Sequence, residues 1–308
     1  MKTSDKGVTA VITDVQRFCM RDGPGVRTTV FFKGCPLRCK WCHNPETQSF
    51  HPQLMFTPTA CLSCGACVAV CKNAAHRLTP AREVVFSRCA ACGKCAAVCP
   101  SGALTISGKR VTVAELMETV KKDAAFYGED GGLTVSGGEP TAQPEALLAL
   151  LEAAKNAGIS TAIETCGVFP KCLVGDLCRL TDLFLFDVKD TDAGRLKENT
   201  GADRETVLSN LRAIDAAGGK TALRCIVIPD VNTDEPHRRN VTELYRSLSH
   251  CLYVELLPYH PYGNAKAERI GVAKPALYRT PEKEEILAFA ESLRASGVRV
   301  KCYGTEVR

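Results

Sequence analysis

Three cysteines on one short stretch, Cys35, Cys39 and Cys42, have the residue type and the spacing to hold an iron–sulfur cluster. They come directly after the apolar run 30–32. Three thiolates can ligate three irons of a 4Fe–4S cube and leave the fourth iron without a protein ligand. Because an open iron can bind and activate a substrate, the loop predicts chemistry rather than electron transfer alone.

A second cysteine pattern is the repeat CxxCxxCxxxC, which begins at Cys61 and again 28 residues later at Cys89. With Pro100 after its last cysteine, it resembles the pattern of bacterial two-cluster ferredoxins, in which the fourth cysteine of each run ligates the other cluster. This crossing predicts two ligand sets: set 1 is Cys61, Cys64, Cys67 and Cys99, and set 2 is Cys89, Cys92, Cys95 and Cys71. Structural zinc is the alternative, because CxxC pairs also bind zinc. The three-residue steps and the closing Cys-Pro favour iron–sulfur.

The repeat predicts a small ferredoxin-like domain at 54–107, inserted into a main domain formed by 1–53 and 108–308. Two roles are open for it. The insert relays electrons to the first cluster, or it is a docking surface for a partner protein.

Composition excludes several classes of protein. The 308 residues are 45% hydrophobic and 24% charged, and the net charge of +5 forms no basic stripe for nucleic acid. No apolar run approaches the ~20 residues of a membrane span, and the N-terminus has no apolar signal segment, so we expect a cytoplasmic protein. Eighteen cysteines in such a chain do not indicate a disulfide framework. The seven outside the three clusters are expected to be small buried residues.

Outside the insert, strand and helix signals alternate. Strands are predicted at 26–32, 133–135, 160–163, 183–187, 222–228, 252–256 and 298–302. Helices are predicted after the capping box Thr112 to Glu115, with an apolar stripe at Val113, Leu116, Met117, Val120 and Ala124. Further helices are predicted between Pro144 and Gly158 and at 204–217, 237–248 and 282–294. Such alternation favours a parallel sheet in an α/β fold, in the form of a partial or open barrel.

Unusual residues follow six of these strands, at the edge where barrel enzymes build their active sites. The segments are Cys35 to Cys42, Gly137-Gly138-Glu139, Glu164-Thr165-Cys166-Gly167, Asp187-Val188-Lys189, Pro229-Asp230 and Leu257-Pro-Tyr-His260. The sequence therefore predicts one site formed by all six segments.

Five motifs together resemble the glycyl radical enzyme activating enzymes, a family of radical S-adenosylmethionine (SAM) enzymes. They are Asp22-Gly-Pro-Gly-Val-Arg27, the cysteine loop, Ser136-Gly-Gly-Glu-Pro140, Asp187-Val-Lys189 and Leu256-Leu-Pro-Tyr-His260. The likeness covers essentially the whole chain, and the insert resembles the longer branch of the family. It implies a partial TIM-like radical SAM barrel with an inserted small domain of bacterial ferredoxin type.

The resemblance also implies the reaction. SAM binds the open iron, an electron cleaves it to methionine and a 5′-deoxyadenosyl radical, and the radical takes hydrogen from a glycine of a partner enzyme. The partner is a lyase, decarboxylase or dehydratase, and flavodoxin or ferredoxin donates the electron. Three 4Fe–4S clusters, SAM and a monovalent cation are the implied cofactors.

By the same resemblance, particular residues contact the cofactor. These are Trp41, Cys42, His43, Gly137, Gly138, Glu139, Glu164, Asp187, Val188, Lys189, Arg224 and His260. Asp187 is implied as a cation ligand or an orienting group. Arg224 either lies near SAM or pairs with a core carboxylate, and Trp41 either borders the adenine or is an ordinary core aromatic. The Asp22 loop either meets the partner's glycine segment or is a plain turn.

Two other functions compete. A radical SAM enzyme that acts directly on a small molecule or peptide would share the site. A multi-cluster electron-transfer protein would cleave no SAM. A zinc-ribbon nucleic-acid binder is disfavoured by the weak charge.

Overall fold

Strands and helices alternate through most of the chain, for which the computed structural model describes residues 7–78, 82–272, 276–302 and 305–306. The strands are β1 (Thr9–Cys19), β2 (Arg27–Phe32), β3 (Gln53–Phe56), β4 (His76–Arg77), β5 (Glu83–Val84), β6 (Leu104–Ser107), β7 (Lys109–Thr112), β8 (Gly132–Gly137), β9 (Ser160–Thr165), β10 (Leu183–Val188), β11 (Thr221–Val227), β12 (Cys251–Pro258), β13 (Val300–Cys302) and β14 (Thr305–Glu306). The helices are α1 (Ala66–Val70), α2 (Lys94–Ala97), α3 (Val113–Lys122), α4 (Pro144–Asn156), α5 (Val174–Leu180), α6 (Ala193–Thr200), α7 (Arg204–Ala216), α8 (Glu235–Ser247), α9 (Tyr262–Arg269) and α10 (Lys283–Ala295).

One large sheet contains ten of these strands in the order β14-β13-β12-β11-β10-β9-β8-β2-β1-β7. The seven strands from β13 to β2 pair in parallel, whereas β14, β1 and β7 pair antiparallel at the two edges. The prediction of an α/β fold with a mostly parallel sheet is confirmed, and the strand order is consistent with a partial barrel. Strand β1 precedes every predicted strand and was not anticipated.

Local sequence explains where the helices begin. Thr112 caps α3 as predicted, because its hydroxyl accepts from the Glu115 N–H while the Glu115 carboxylate accepts from Thr112. The α3 stripe is buried at Val113, Leu116, Met117 and Val120. The inclusion of Ala124 in this stripe was wrong: α3 ends at Lys122, and Ala124 is exposed in the short turn that follows.

Alternation along each strand separates two faces of the sheet. In β10, Phe184 and Phe186 enter the core beneath the helices, whereas Leu183 and Leu185 belong to a separate cluster on the opposite face. Asp187 continues this second row to the carboxyl end of the strand. Each parallel strand therefore presents its alternate residues to the interior of the partial barrel.

The segment between β2 and β7 is connected to the barrel by one pair of strands. β3 and β6 pair antiparallel, from Gln53 opposite Ser107 to Phe56 opposite Leu104. Beyond them, a small core contains Cys67 and Cys95 together with five other buried residues. The strands β3 and β6 lie at the two ends of the segment predicted as the insert.

The cysteines outside the three clusters differ in burial. Cys166 and Cys225 are buried as predicted, whereas Cys172 is exposed. Within the described ranges, no helix combines the length and apolarity that crossing a membrane requires.

Candidate active site

A cavity of about 800 Å³ opens at the carboxyl ends of the parallel strands. Twelve of the predicted site residues line it: Cys35, Cys39, Trp41, Cys42, His43, Gly137, Gly138, Glu164, Asp187, Lys189, Arg224 and His260. Five of the six predicted segments thus meet in one place. The sixth, Pro229-Asp230, does not line the cavity, because Asn232 folds this loop back onto the backbone of Ile228 and Ile226.

Main-chain contacts fix the cysteine loop at the mouth of this cavity. The N–H groups of Arg38 and Lys40 donate to Thr200 O (2.8 Å) and Asn199 O (2.9 Å) at the end of α6. On the other side, Gly263 of α9 lies so close that a Cβ there would be 2.1 Å from Cys42 O. The loop is therefore held between two helices.

The donor set of this loop fits an iron–sulfur cluster. Cys35, Cys39 and Cys42 all line the cavity, and thiolates are the soft ligands that such clusters use. Cys35 also receives polar contacts, from the Leu37 N–H (3.4 Å) and from the Cys166 thiol. Over the part of the chain that the structure describes, no three His, Cys, Asp or Glu side chains are grouped to hold a single metal ion.

A buried ion-pair chain crosses the cavity floor. Arg224 on β11 donates to Glu164 on β9 and lies 3.3 Å from the Glu255 carboxylate on β12. Burial raises the pKa of Glu164 to about 7, against the opposing charge of Arg224. Arg224 thus pairs with core carboxylates, which is one of the two sequence-based alternatives, and it also lines the cavity. Glu255 was missed, although its alternation with Tyr253 and Leu257 on one strand could have identified it.

A second ion pair lies closer to the cysteine loop. Lys189 Nζ donates to Asp187 Oδ2 at 2.8 Å. Burial opposes the charge on Lys189, yet Asp187 and the nearby thiols hold the pKa of its ammonium well above the usual range. The cavity therefore contains a fixed cation beside the predicted cluster ligands.

Aromatic rings form another wall. His43 and His260 meet edge to face with ring centroids 4.6 Å apart. Burial lowers the pKa of His43 to about 4, and the charges of Lys266 and His260 act in the same direction, so the His43 ring is neutral at pH 7. Trp41 is buried against Tyr278 and still reaches the cavity.

Two of the residues predicted to contact SAM, Glu139 and Val188, do not line the cavity. The Glu139 carboxylate is buried and accepts from the Thr141 N–H and hydroxyl, the Thr165 hydroxyl (3.1 Å) and the Cys166 N–H (2.7 Å). It therefore joins the loops after β8 and β9. Val188 points into the core beneath the helices, as its position between Asp187 and Lys189 requires.

The glycines before Glu139 also have a packing role. A Cβ on Gly137 would lie 2.2 Å from Phe32 O, and one on Gly138 would lie 2.3 Å from Gly34 O. These positions are restricted to glycine because the end of β8 touches the start of the cysteine loop.

In the insert, the cysteines of set 1 lie closer to one another than can be said of all four in set 2. A small cavity is lined by all four members of set 1, Cys61, Cys64, Cys67 and Cys99. In set 2, burial raises the pKa of Cys95, and the charges of Cys89 and Cys71 add to that increase. Cys71 and Cys89 therefore both lie near Cys95.

Known proteins are similar to this chain in sequence and in fold. Residues 29–238 match the radical SAM superfamily. The choline trimethylamine-lyase activating enzyme of Oleidesulfovibrio alaskensis is 41% identical over 274 residues, which cover 86% of this chain and 88% of the relative. The benzylsuccinate synthase activating enzyme of Thauera aromatica is 39% identical, with 96% and 92% covered. The crystal structure of QueE from Escherichia coli, 13% identical, has the same fold with a TM-score of 0.51 and covers 98% of this chain and 99% of that chain.

The fold, the three-cysteine loop and these matches define a radical SAM enzyme. Among radical SAM enzymes, the chain belongs to the glycyl radical enzyme activating enzymes, with relatives of that name 33–41% identical over most of its length.

Proposed function

We propose that this chain activates a partner glycyl radical enzyme by reductive cleavage of SAM in the cavity at the carboxyl ends of the strands. The supporting observation is that three cysteines of one loop and two oppositely charged pairs line the same cavity. When bound, the cluster supplies the electron that cleaves SAM to methionine and the 5′-deoxyadenosyl radical, which takes hydrogen from a glycine of the partner.

The chain's own residues bind and orient the cosubstrate. Cys35, Cys39 and Cys42 hold the cluster. Lys189 and Arg224 are the fixed cations that suit a carboxylate, and Asp187 and Glu164 orient them. The backbone of Gly137 and Gly138 permits close approach, and the neutral His43 ring with His260 and Trp41 forms an apolar wall for a nucleobase.

We further propose that Glu139 and Val188 contribute indirectly. Glu139 fixes the loop whose glycines line the cavity, and Val188 fixes the strand that carries Asp187 and Lys189. Asp187 is the candidate ligand of a monovalent cation.

In this proposal, residues 54–107 form a ferredoxin-like domain that holds two further 4Fe–4S clusters. The convergence of set 1 on one small cavity and the proximity of Cys71 and Cys89 to Cys95 support the crossed ligand sets. The donor of electrons is a flavodoxin or ferredoxin.

The partner is a lyase, decarboxylase or dehydratase of the glycyl radical class. The test is anaerobic incubation of the reconstituted chain with SAM, reductant and each of three candidates: choline trimethylamine-lyase, benzylsuccinate synthase and trans-4-hydroxy-L-proline dehydratase. A glycine-centred doublet in the electron paramagnetic resonance spectrum is expected with one of them. Cleavage of SAM at the same rate with and without every partner would instead favour an enzyme that acts directly on a small molecule or peptide.

A further inference from the structure

The short helix α6 connects two sides of the active-site cavity. It follows the end of β10, where Asp187 and Lys189 lie, and its own last residues contact the cysteine loop. Each end of α6 is held by a different set of contacts. The two sets together determine where the cysteine loop lies relative to Lys189.

The carboxyl end of α6 is bound to the cysteine loop through the main chain. The last carbonyl groups of an α-helix have no partner within the helix. In α6, Asn199 O accepts from the Lys40 N–H at 2.9 Å, and Thr200 O accepts from the Arg38 N–H at 2.8 Å. These two N–H groups are on either side of Cys39. The position of α6 therefore fixes the main chain around one predicted cluster ligand.

The amino end of α6 is held by Asp190, the residue after Lys189. Arg195 of α6 donates to both oxygens of the Asp190 carboxylate, from Nε and Nη2, each at 3.0 Å. Its Nη1 donates to Asp234, the N-cap residue of α8. The Asp190 side chain is fully buried, and a bidentate pair of this kind fixes direction as well as distance. Arg195 thus joins α6 to the loop that carries Lys189.

Helix α8 fixes that loop from another side. His237 is fully buried, and its Nδ1 lies 3.6 Å from Asp190 Oδ1 and 3.0 Å from the Thr191 hydroxyl. Asp190 also accepts from the Asp192 N–H at 2.9 Å. The carboxylate to which Arg195 binds therefore has a fixed position of its own.

Apolar packing beside α6 is limited. Four buried residues form a small cluster there, separate from the main core: Leu37, Cys166, Leu196 and Ala202. All four also line a cavity of about 230 Å³. Because atoms that line a void lack contacts on that side, packing holds α6 less firmly than a filled core would. The contacts of Arg195 therefore matter more to the position of this helix.

We propose that Arg195 is a positioning residue for SAM cleavage, because through α6 it holds Cys39 in place relative to Lys189. The inference rests on the proposed function, in which Cys39 holds the cluster and Lys189 binds the carboxylate of SAM. A cosubstrate that contacts both sides of a cavity binds well only while the two sides keep their spacing. Arg195 acts on SAM without touching it.

The test uses three variants of the full chain after anaerobic reconstitution: Arg195→Gln, Arg195→Lys and Arg179→Gln. Arg179 on α5 is the matched control, because it also pairs with two carboxylates, those of Asp176 and Glu152, neither of which belongs to the predicted site. Iron content and the thermal midpoint are measured first. The Kd for SAM is then measured by titration calorimetry, and the change that SAM causes in the electron paramagnetic resonance spectrum of the reduced chain is recorded.

We expect Arg195→Gln to raise the Kd for SAM about tenfold or more and to alter the spectral change that SAM causes, with the iron content of the wild type. Arg195→Lys keeps the charge but cannot bind both carboxylates as a fork, so its Kd should lie between those of the wild type and Arg195→Gln. Arg179→Gln should stay within about twofold of the wild type.

A purely structural role of Arg195 would give a different result. The thermal midpoint of Arg195→Gln would fall while the Kd for SAM and the spectral change stayed as in the wild type, and this outcome would overturn the positioning role. If Arg195→Gln lost iron, Arg195→Lys would decide, since an iron-replete lysine variant with wild-type affinity for SAM would also overturn it. Failure of the wild type to bind SAM would instead refute the proposed function.

Discussion

The barrel and the insert are stabilised in different ways. The barrel has an apolar core that extends under most of the large sheet and consists of strand and helix residues such as Leu150, Phe186 and Phe289. The insert core has seven buried residues among those described, and two of them, Cys67 and Cys95, are predicted cluster ligands. Its helices α1 and α2 are only five and four residues long.

A core of this size stabilises little by itself, because small domains bury too little apolar surface to offset chain entropy. Metal ligation can provide the missing stability. The barrel is therefore expected to fold without its cofactors, whereas the insert depends on its cofactors to fold.

The largest effect is expected from Cys39→Ala in the barrel loop. Removal of one of three ligands should lower SAM cleavage below detection, because no other side chain of the loop can replace a thiolate. The barrel should keep its circular dichroism and the insert its iron. The control is Cys172→Ala, which changes an exposed cysteine outside the ligand sets. Measurable 5′-deoxyadenosine from Cys39→Ala would contradict the assignment of this loop.

The next largest effect is expected from Cys67→Ala with Cys95→Ala in the insert. Loss of one ligand from each set should unfold the insert and open Arg77 and Arg88 to trypsin, while the thermal transition of the barrel shifts by only a few degrees. Cys225→Ala is the matched control, because Cys225 is fully buried in the barrel and ligates nothing in the proposal. If the insert stayed resistant to trypsin without its clusters, it would fold without cofactors just as the barrel is expected to do, and the two regions would not differ in this respect.

The sequence predicts best where the signal is local. The Thr112 to Glu115 capping box begins α3, and the strand starts at Ser160 and Leu183 are where the apolar runs place them. It predicts the site less completely, because the direction of a side chain depends on register. Glu139 follows two cavity-lining glycines and was expected at the cofactor, yet it turns into the protein where donors from another loop meet it. Those donors are 26 and 27 residues away, so no local pattern reveals them.

That internal role of Glu139 gives the third prediction. Glu139→Gln removes a buried carboxylate that accepts from two loops and leaves a buried donor without a partner, which should lower the free energy of unfolding by about 3 kcal/mol. Urea denaturation of the cofactor-free chain measures it, with the exposed Glu118→Gln as control. An unchanged midpoint together with weaker SAM binding would show that the carboxylate contacts the cosubstrate directly.

The smallest effect is expected where barrel and insert join, at Lys33. Its side chain is 1% exposed, and burial lowers its pKa to about 8 from an ordinary value of 10.5. Between these two pH values the unfolded chain binds more protons than the folded chain, so the contribution of Lys33 to stability rises with pH. Between pH 8 and pH 10.5, the free energy of unfolding of the wild type should increase by about 2 kcal/mol relative to that of Lys33→Gln. Relative to that of the exposed Lys121→Gln, it should not change over the same range. Urea denaturation at both pH values measures the difference. A gain that is equal against both variants would mean that the Lys33 ammonium keeps its charge at the joint, held there by Glu46 O and Gln53 Oε1.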